Sequence, residues 1–546
     1  MSWFKKIFAS FSIKERGVFY ASFLACAISG VLLVWILFVS VTVEVPARGG
    51  EYTEGIIGQP SYVNPVLAEN DADKDLVRLT FANLSALADK IELDKNRKTY
   101  HVRLKENLFW SDGEKLTSDD VVFTLQRLQD PQTASPYFSN WQGVSVSRVS
   151  ELEVQFDLAG SYAFFRQNLD GFYPIPKHLF ADTPPANWKL SDYNLKPVGS
   201  GPYVFDSYEK RADGFISAYH LKPNGRYSGS QPYVENLDLA FFTKADDLIK
   251  SFNAGQVDGV ARLDPGTVPA IRRTYDLTRY SLPDYYAVFW NQNQNPALAD
   301  DTVRNALSLA VDRGDLVQKV LGGYGKPVYG PLPADLPGAE SLSGSFDSNL
   351  ASQILSTAGW KMGDRGMLEK SEGKSNVQLQ FSIVVPDVPF LVNTANYLKD
   401  HWTAIGASVS LNILPLQNVL DGPIKNRDYQ AILFGNRLNG QDLYPFWDSS
   451  EKYYPQQNLA LYGDKNTDKL LESIRQNLDD SSRAASLQNA AVLIASAHPA
   501  AFLYSPYSLF ASSKDVSGIS GGFLGDLSDR LLPAPSWYVK VARNFK

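Results

Sequence analysis

Apolar positions along this chain follow three different spacings. From Gly17 to Val43 there is no charged side chain at all. At about 1.5 Å per residue a helix over this stretch reaches roughly 40 Å, enough to cross a ~30 Å hydrocarbon layer with tilt. A period of two follows. Tyr52 to Gly58 reads as a first strand, and Tyr100, Val102 and Leu104 alternate with Thr99, His101 and Arg103 as another. Asp112-Gly113 supplies a turn. Thr117, three residues before Asp120, predicts a capped helix start, and Val121, Val122, Leu125 and Leu128 give that helix a buried stripe. Helices are also expected at Asp75 to Leu87, Ala245 to Asn253, Asp347 to Trp360 and Leu470 to Ala497. A further helix carries Val303, Ala306, Leu307, Ala310 and Val311, with Asp301 as its cap.

The second half alternates strand with helix: Val377–Val385, then Val388–Ile405, Ala407–Leu414 and Tyr429–Gly435. That order predicts βαβ units in a mixed or parallel sheet, an α/β fold class. Val144 to Leu158 reads as paired strands, and Leu237, Leu239 and Phe241 as one more.

Composition narrows the function classes. A chain of 546 residues with 44% apolar residues is globular and too long for one small core. Net charge is −7 and the body carries no Lys/Arg-rich block, which argues against a nucleic-acid binder. One cysteine, Cys26, rules out an intrachain disulfide and a thiolate metal cluster. Lys5, Lys6, Lys14 and Arg16 precede the apolar run against a single Glu15. The positive-inside rule then keeps residues 1–16 in the cytoplasm and sends everything beyond the anchor outward. Against a cleaved signal peptide, the A-x-A match Ala25-Cys26-Ala27 lies in the middle of the run. An uncleaved anchor over residues 17–45 is the expectation.

The wording of several segments is more specific than their periodicity. RLKENLFWSDG (103–113), followed by LTSDDVVFTLQRL (116–128), resembles the signature of the family 5 extracellular solute-binding proteins. These are the dipeptide, oligopeptide and nickel receptors of ABC importers. Asp130 to Tyr137 resembles the oligopeptide-binding members in particular, while Gln59 to Pro65, Ile175-Pro176-Lys177-His178, Pro197 to Tyr203 and Val303 to Pro333 resemble segments of the family at large. The resemblance covers essentially residues 50–546. It implies a two-lobed, type II clamshell fold of the periplasmic-binding-protein kind, with an extra subdomain in the first lobe. In this reading lobe I is 46–283, with the insertion at about 75–180. Lobe II is 284–499, and 500–546 returns to lobe I. The crossings lie near Ser281–Asn291 and Ala500–Tyr504.

The same resemblance implies the cleft residues. Tyr137 matches a ligand-touching tyrosine. Gln59, Tyr62 and Asn64 lie on a bend that borders the cleft in relatives, and Asn291 follows the first crossing. Gly435 to Asp442 resembles the loop that binds the peptide amine. Read without a gap, Asn439 stands where that loop has an aspartate and Asn436 where it has a tryptophan. Asp442 takes over if the register shifts, and Arg437 is a candidate partner for a ligand carboxylate. The expected partners are a peptide or peptide-like ligand, ABC permease subunits and the membrane through residues 17–45; the protein is expected to be a monomer. No cofactor is expected. A sugar or metal chelate is the alternative cargo.

An enzyme was the rival class. No HExxH pair occurs, and the histidines at 101, 178, 220, 401 and 498 are scattered. Gly518-Ile519-Ser520-Gly521-Gly522 matches G-x-S-x-G but lacks the strand before and helix after that a nucleophile elbow needs. Gly373-Lys374-Ser375 ends like a phosphate loop, yet Leu368 holds the first glycine's place. Asp119-Asp120 and Asp246-Asp247 sit at helix starts, where carboxylates favour the macrodipole. Two lobes that close on cargo fit these observations better than catalysis.

Overall fold

A computed structural model describes residues 10–373 and 375–545. Lys5, Lys6 and Lys374 lie outside the described residues.

One long strand organises the body. Ala500–Ser513 is buried along most of its length and runs through the middle of one 13-stranded sheet shared by both lobes. Its first half pairs with Asp284–Trp290, and its second half with Gly259–Leu263 and Tyr275–Ser281. Tyr275–Ser281 passes through Leu282 and Pro283 directly into Asp284–Trp290, so two neighbouring crossings join the lobes. Beyond them the sheet continues both ways. On the lobe I side, Glu51–Ile57 lies between Gly259–Leu263 and Asn236–Phe242, parallel to both, and two antiparallel strands follow. On the lobe II side, Asp284–Trp290, Ala431–Arg437, Gln380–Pro386 and Ser408–Leu414 follow in that order, the last three mutually parallel. The helix Pro389–Ala404 provides the crossover between the last two strands. This is the α/β, two-lobed architecture.

The inserted part of lobe I is a separate antiparallel sheet, Ala88–Leu93, Thr99–Leu104, Glu153–Leu158 and Val144–Ser150 in spatial order. The helix Ser118–Leu128 covers it, opened by the capping box of Thr117 and Asp120. Its apolar residues join those of lobe I in one continuous core that also takes in Trp537.

Three local expectations shift. Helix Asp71–Thr80 stops where Phe81 turns extended, and a separate turn Leu84–Leu87 is capped by Asn83. Thr80, the last residue of the first of these helices, is hemmed in: a Cβ at Gly199 or Gly201 would fall 1.8 Å or 2.5 Å from its backbone. The expected helix Leu470–Ala497 is two, Lys465–Gln476 and Asp480–Ser496, because Asp479 accepts from the Ser482 N–H and starts a new one. Asp300, not Asp301, caps the helix Asp301–Leu309.

A buried ion network ties lobe I together. The Arg530 guanidinium meets Asp75 at 2.7 Å and also contacts Glu54. Arg262 forks onto Asp75 at 2.8 and 3.0 Å, and the Tyr52 hydroxyl donates to Glu54. These cations hold the Asp75 carboxyl below the usual carboxylate range although its burial works the other way.

Ahead of the body stands the apolar helix Ile13–Val41, capped by Ser12 and with no residue buried against the rest of the protein. The strand Thr42–Ala47 leaves it and pairs with Lys540–Phe545.

Candidate ligand-binding cleft

Two contiguous chambers lie between the lobes. The larger, about 1020 Å³, is walled by residues 139–168 on one side and 437–476 on the other. That is at the upper end of the roughly 300–1,000 Å³ usual for small-molecule sites. The smaller, about 340 Å³, reaches past Tyr137 to the helix Asp71–Thr80 and to Asp526. Asn140, Asn168, Arg437 and Asn439 line both chambers. The Asn439 amide donates to Asn168 Oδ1 at 3.1 Å, so the lobes touch where the chambers join.

Charge is divided between the chambers. Asp442, Glu451 and Glu472 line the larger one with Arg475. Lys74 and Arg78 line the smaller one with Asp526. Asp442 is almost fully buried; burial pushes its carboxyl up, against the pull of Arg475 at 3.1 Å. Burial also raises Glu451. Arg475 sits between the faces of Tyr444 and Tyr162, 4.4 and 5.2 Å from the ring centres, a cation–π sandwich that fixes its plane. Burial works to raise Asp526, but the Ser528 N–H and the cations Lys74, Arg78 and Arg437 outweigh it and hold it down.

Four of the residues singled out from sequence line these chambers: Tyr137, Arg437, Asn439 and Asp442. Tyr137 donates its hydroxyl to the Ala68 carbonyl at 2.7 Å, which fixes its ring in the wall. Arg437 is half-exposed and bonded to Asp284 at 3.0 Å, with Asp526 at 4.0 Å, so two protein carboxylates already share it.

The other five lie outside the chamber walls, with side chains spent on the fold. Gln59 accepts from the Ile216 N–H. Asn64 accepts from the Val66 N–H and donates to Asn194. Tyr62 packs on the lobe I core. Asn291 donates to the Arg427 carbonyl, and Asn436 to the Tyr285 hydroxyl. Ser520 lies in an irregular segment followed by the two-residue strand Gly522–Phe523, where a nucleophile elbow would have a helix.

The bend at residues 59–65 is held by Asp73. One carboxylate oxygen accepts the N–H groups of Ser61 and Tyr62 at 2.6 and 2.8 Å. Its other oxygen is buried without a partner, and burial raises the pKa from 3.8 to about 6. A folded pKa above the unfolded value favours the native state at low pH. The contribution is full below 3.8 and is lost as pH rises towards 6, a fall of roughly 3 kcal/mol. Denaturant unfolding at pH 4 and pH 7 should therefore show a smaller loss between the two in Asp73→Asn than in the parent. An identical loss would contradict this assignment.

Sequence reasoning missed Phe164 and Tyr162. They follow the inserted sheet of lobe I, yet Phe164 is 2% exposed and belongs to the core of lobe II, the one that also holds Phe289, Trp447 and Phe502. The Tyr162 hydroxyl donates to Asp442 at 3.1 Å, and the Ala163 N–H donates to the Arg475 carbonyl at 2.7 Å. This connection between the lobes is made by packing and not by chain crossing. Arg475 was missed as well, since one arginine on a polar helix carries no sequence signal.

Residues 84–458 match the family model described as bacterial extracellular solute-binding proteins, family 5 Middle. The chain is 27% identical to the oligopeptide-binding protein AppA of Bacillus subtilis, over 87% of this chain and 89% of that one. The solved structure of that AppA, in complex with a nonapeptide, superposes with a TM-score of 0.68 at 24% identity, covering 91% of this chain and 100% of the other. The ABC transporter substrate-binding protein CtaP of Listeria monocytogenes superposes with a TM-score of 0.77 at 22% identity, covering 90% of this chain and 100% of the other.

Proposed function

The chain belongs to the family 5 bacterial extracellular solute-binding proteins, and from that premise we propose that it captures peptides between its lobes and delivers them to an ABC importer. The observation that carries this reading is the interlobe cavity of about 1020 Å³, walled by both lobes and bearing charges of both signs. A peptide offers an ammonium, a carboxylate and a row of backbone donors and acceptors, and asks for little at its side chains. The relative AppA is named for oligopeptide binding and has been solved with a nonapeptide.

The split of charge orients the cargo. The ammonium end lies in the larger chamber near Glu451 and Glu472, and the carboxylate end in the smaller one near Lys74. Asn439 stands at the join, offering an amide where relatives are expected to offer a carboxylate.

Calorimetry with one peptide in free, amino-acetylated and carboxy-amidated forms tests this. Glu451→Gln should weaken the free-amine form about tenfold and the acetylated form little, the scale of one charge-assisted hydrogen bond. Lys74→Gln should do the same for the free carboxylate against its amide. Asn439→Asp should strengthen free-amine peptides relative to acetylated ones. Equal losses for free and blocked ends would refute the orientation, and no heat with any peptide would refute the peptide reading itself.

The helix Ile13–Val41 is proposed to remain as a single-pass anchor, with residues 1–16 cytoplasmic, the body outside and the protein monomeric. Its length and the exposure of its apolar side chains support the anchor. Peptide mapping of the membrane-bound protein should recover residues 17–41; a mature chain starting beyond them would contradict the anchor.

A further inference from the structure

The helix Ile13–Val41 does not connect to the body through a single strand of chain. Thr42–Ala47 runs antiparallel to Lys540–Phe545 in unbroken register, from Thr42 opposite Phe545 to Ala47 opposite Lys540. The far end of this ribbon is fastened to lobe I. Trp537 is buried and meets the Tyr52 ring edge-on at 5.5 Å, and Ser517 and Tyr538 exchange backbone bonds. The near end is fastened to the helix. The Arg543 guanidinium lies 6.0 Å from the Phe38 ring centre and bonds to Thr42 Oγ1 at 3.1 Å and to Glu44 at 2.9 Å.

That register fixes where Phe545 is. It stands directly across from the residue that follows the last helical turn, and it is 77% exposed. Helix residues beside it, Phe38 and Val41, are themselves exposed apolar groups that a bilayer would cover. An exposed apolar ring at that level is placed to enter the boundary of headgroups and acyl chains, as Phe does on membrane-surface segments. Polar and charged side chains in the ribbon also fit that depth: Arg543 reaches back along the helix end while Glu44 offsets it.

We propose that the strand Lys540–Phe545 is a second membrane contact, with Phe545 seated in the outer leaflet of the lipid bilayer beside the anchor. The inference rests on the anchor reading above. The ribbon spans six paired residues, about 20 Å at ~3.3 Å per residue. Held at both ends, it keeps the cleft at a fixed height and orientation above the membrane, where a permease would meet it.

The test uses the full chain in phosphatidylcholine vesicles, with Cys26→Ser removing the one native thiol. A polarity-sensitive fluorophore is placed in turn on Phe545→Cys, on Lys540→Cys at the other end of the ribbon, and on Asp464→Cys on the body. Quenching by nitroxide lipids should be at least about threefold greater at 545 than at 540 or 464, because 540 lies about 17 Å farther along the ribbon from the helix end. Protein that floats with the vesicles but shows equal quenching at all three positions overturns the ribbon contact and leaves the anchor standing. Protein that does not float with the vesicles overturns both.

Discussion

Phe164→Ala is expected to weaken peptide binding by about ten- to one-hundredfold while leaving both lobes folded. Phe164 is carried by lobe I but buried in the core of lobe II. Burying a phenylalanine side chain contributes roughly 1.5–3 kcal/mol, and here that energy is present only when the lobes are together. Ligand affinity scales with the population of the closed form, so removing this contact lowers it by up to the corresponding factor. The neighbouring contacts, Tyr162 to Asp442 and Ala163 to Arg475, depend on the same approach of the lobes. Tyr162→Phe should show a loss at the low end of that range, about tenfold, for one hydrogen bond to a buried charged group. Small-angle scattering of the unliganded Phe164→Ala protein should show a larger radius of gyration. Unchanged affinity together with an unchanged scattering profile would mean that Phe164 is a fixed part of lobe II and not a latch.

Arg530→Ala is expected to destabilise the protein by about 3–5 kcal/mol, the usual cost of removing one partner from a buried ion network. Glu54 and Asp75 would be left buried, with Arg262 still reaching Asp75 but no cation on Glu54. Arg530→Met keeps the volume but leaves the same carboxylates, so it should be nearly as damaging. The triple change Arg530→Met, Glu54→Leu and Asp75→Leu should recover much of the loss, because matched apolar replacement of a buried ion pair is often close to neutral. Thermal unfolding distinguishes these cases. A single substitution with no change in melting temperature would show that water already reaches the network.

The parts of the fold that were legible from sequence are those set by neighbouring residues. The capping box at Thr117 and Asp120 and the stripe of Val121, Leu125 and Leu128 are such parts. The alternation of strand and helix from 377 to 435, and the uncharged run that becomes the helix Ile13–Val41, depend on local pattern in the same way. What was not legible depends on partners far along the chain. Arg530 meets Glu54 across 476 positions and Arg543 meets Glu44 across 499, and no spacing rule links them. Polar residues in bends were the other difficulty. Asn64 and Asn291 have the composition of a binding residue, yet each satisfies backbone groups that a tight bend leaves unpaired. Tyr137, Asn439 and Asp442 look no different in sequence, and it is the space beside them that sets them apart. The split at 477–479 follows the same logic, since a capping aspartate mid-helix becomes visible only when the preceding turn has ended.

Capture of intact peptide between two lobes is the central claim, and native mass spectrometry of the full chain in detergent addresses it directly. After incubation with an equimolar mixture of peptides of three to ten residues, the protein should carry one unmodified peptide per chain. The same experiment on Phe164→Ala should show mostly empty protein. Parent protein that stays unliganded across the mixture, or that releases only peptide fragments, would contradict the account.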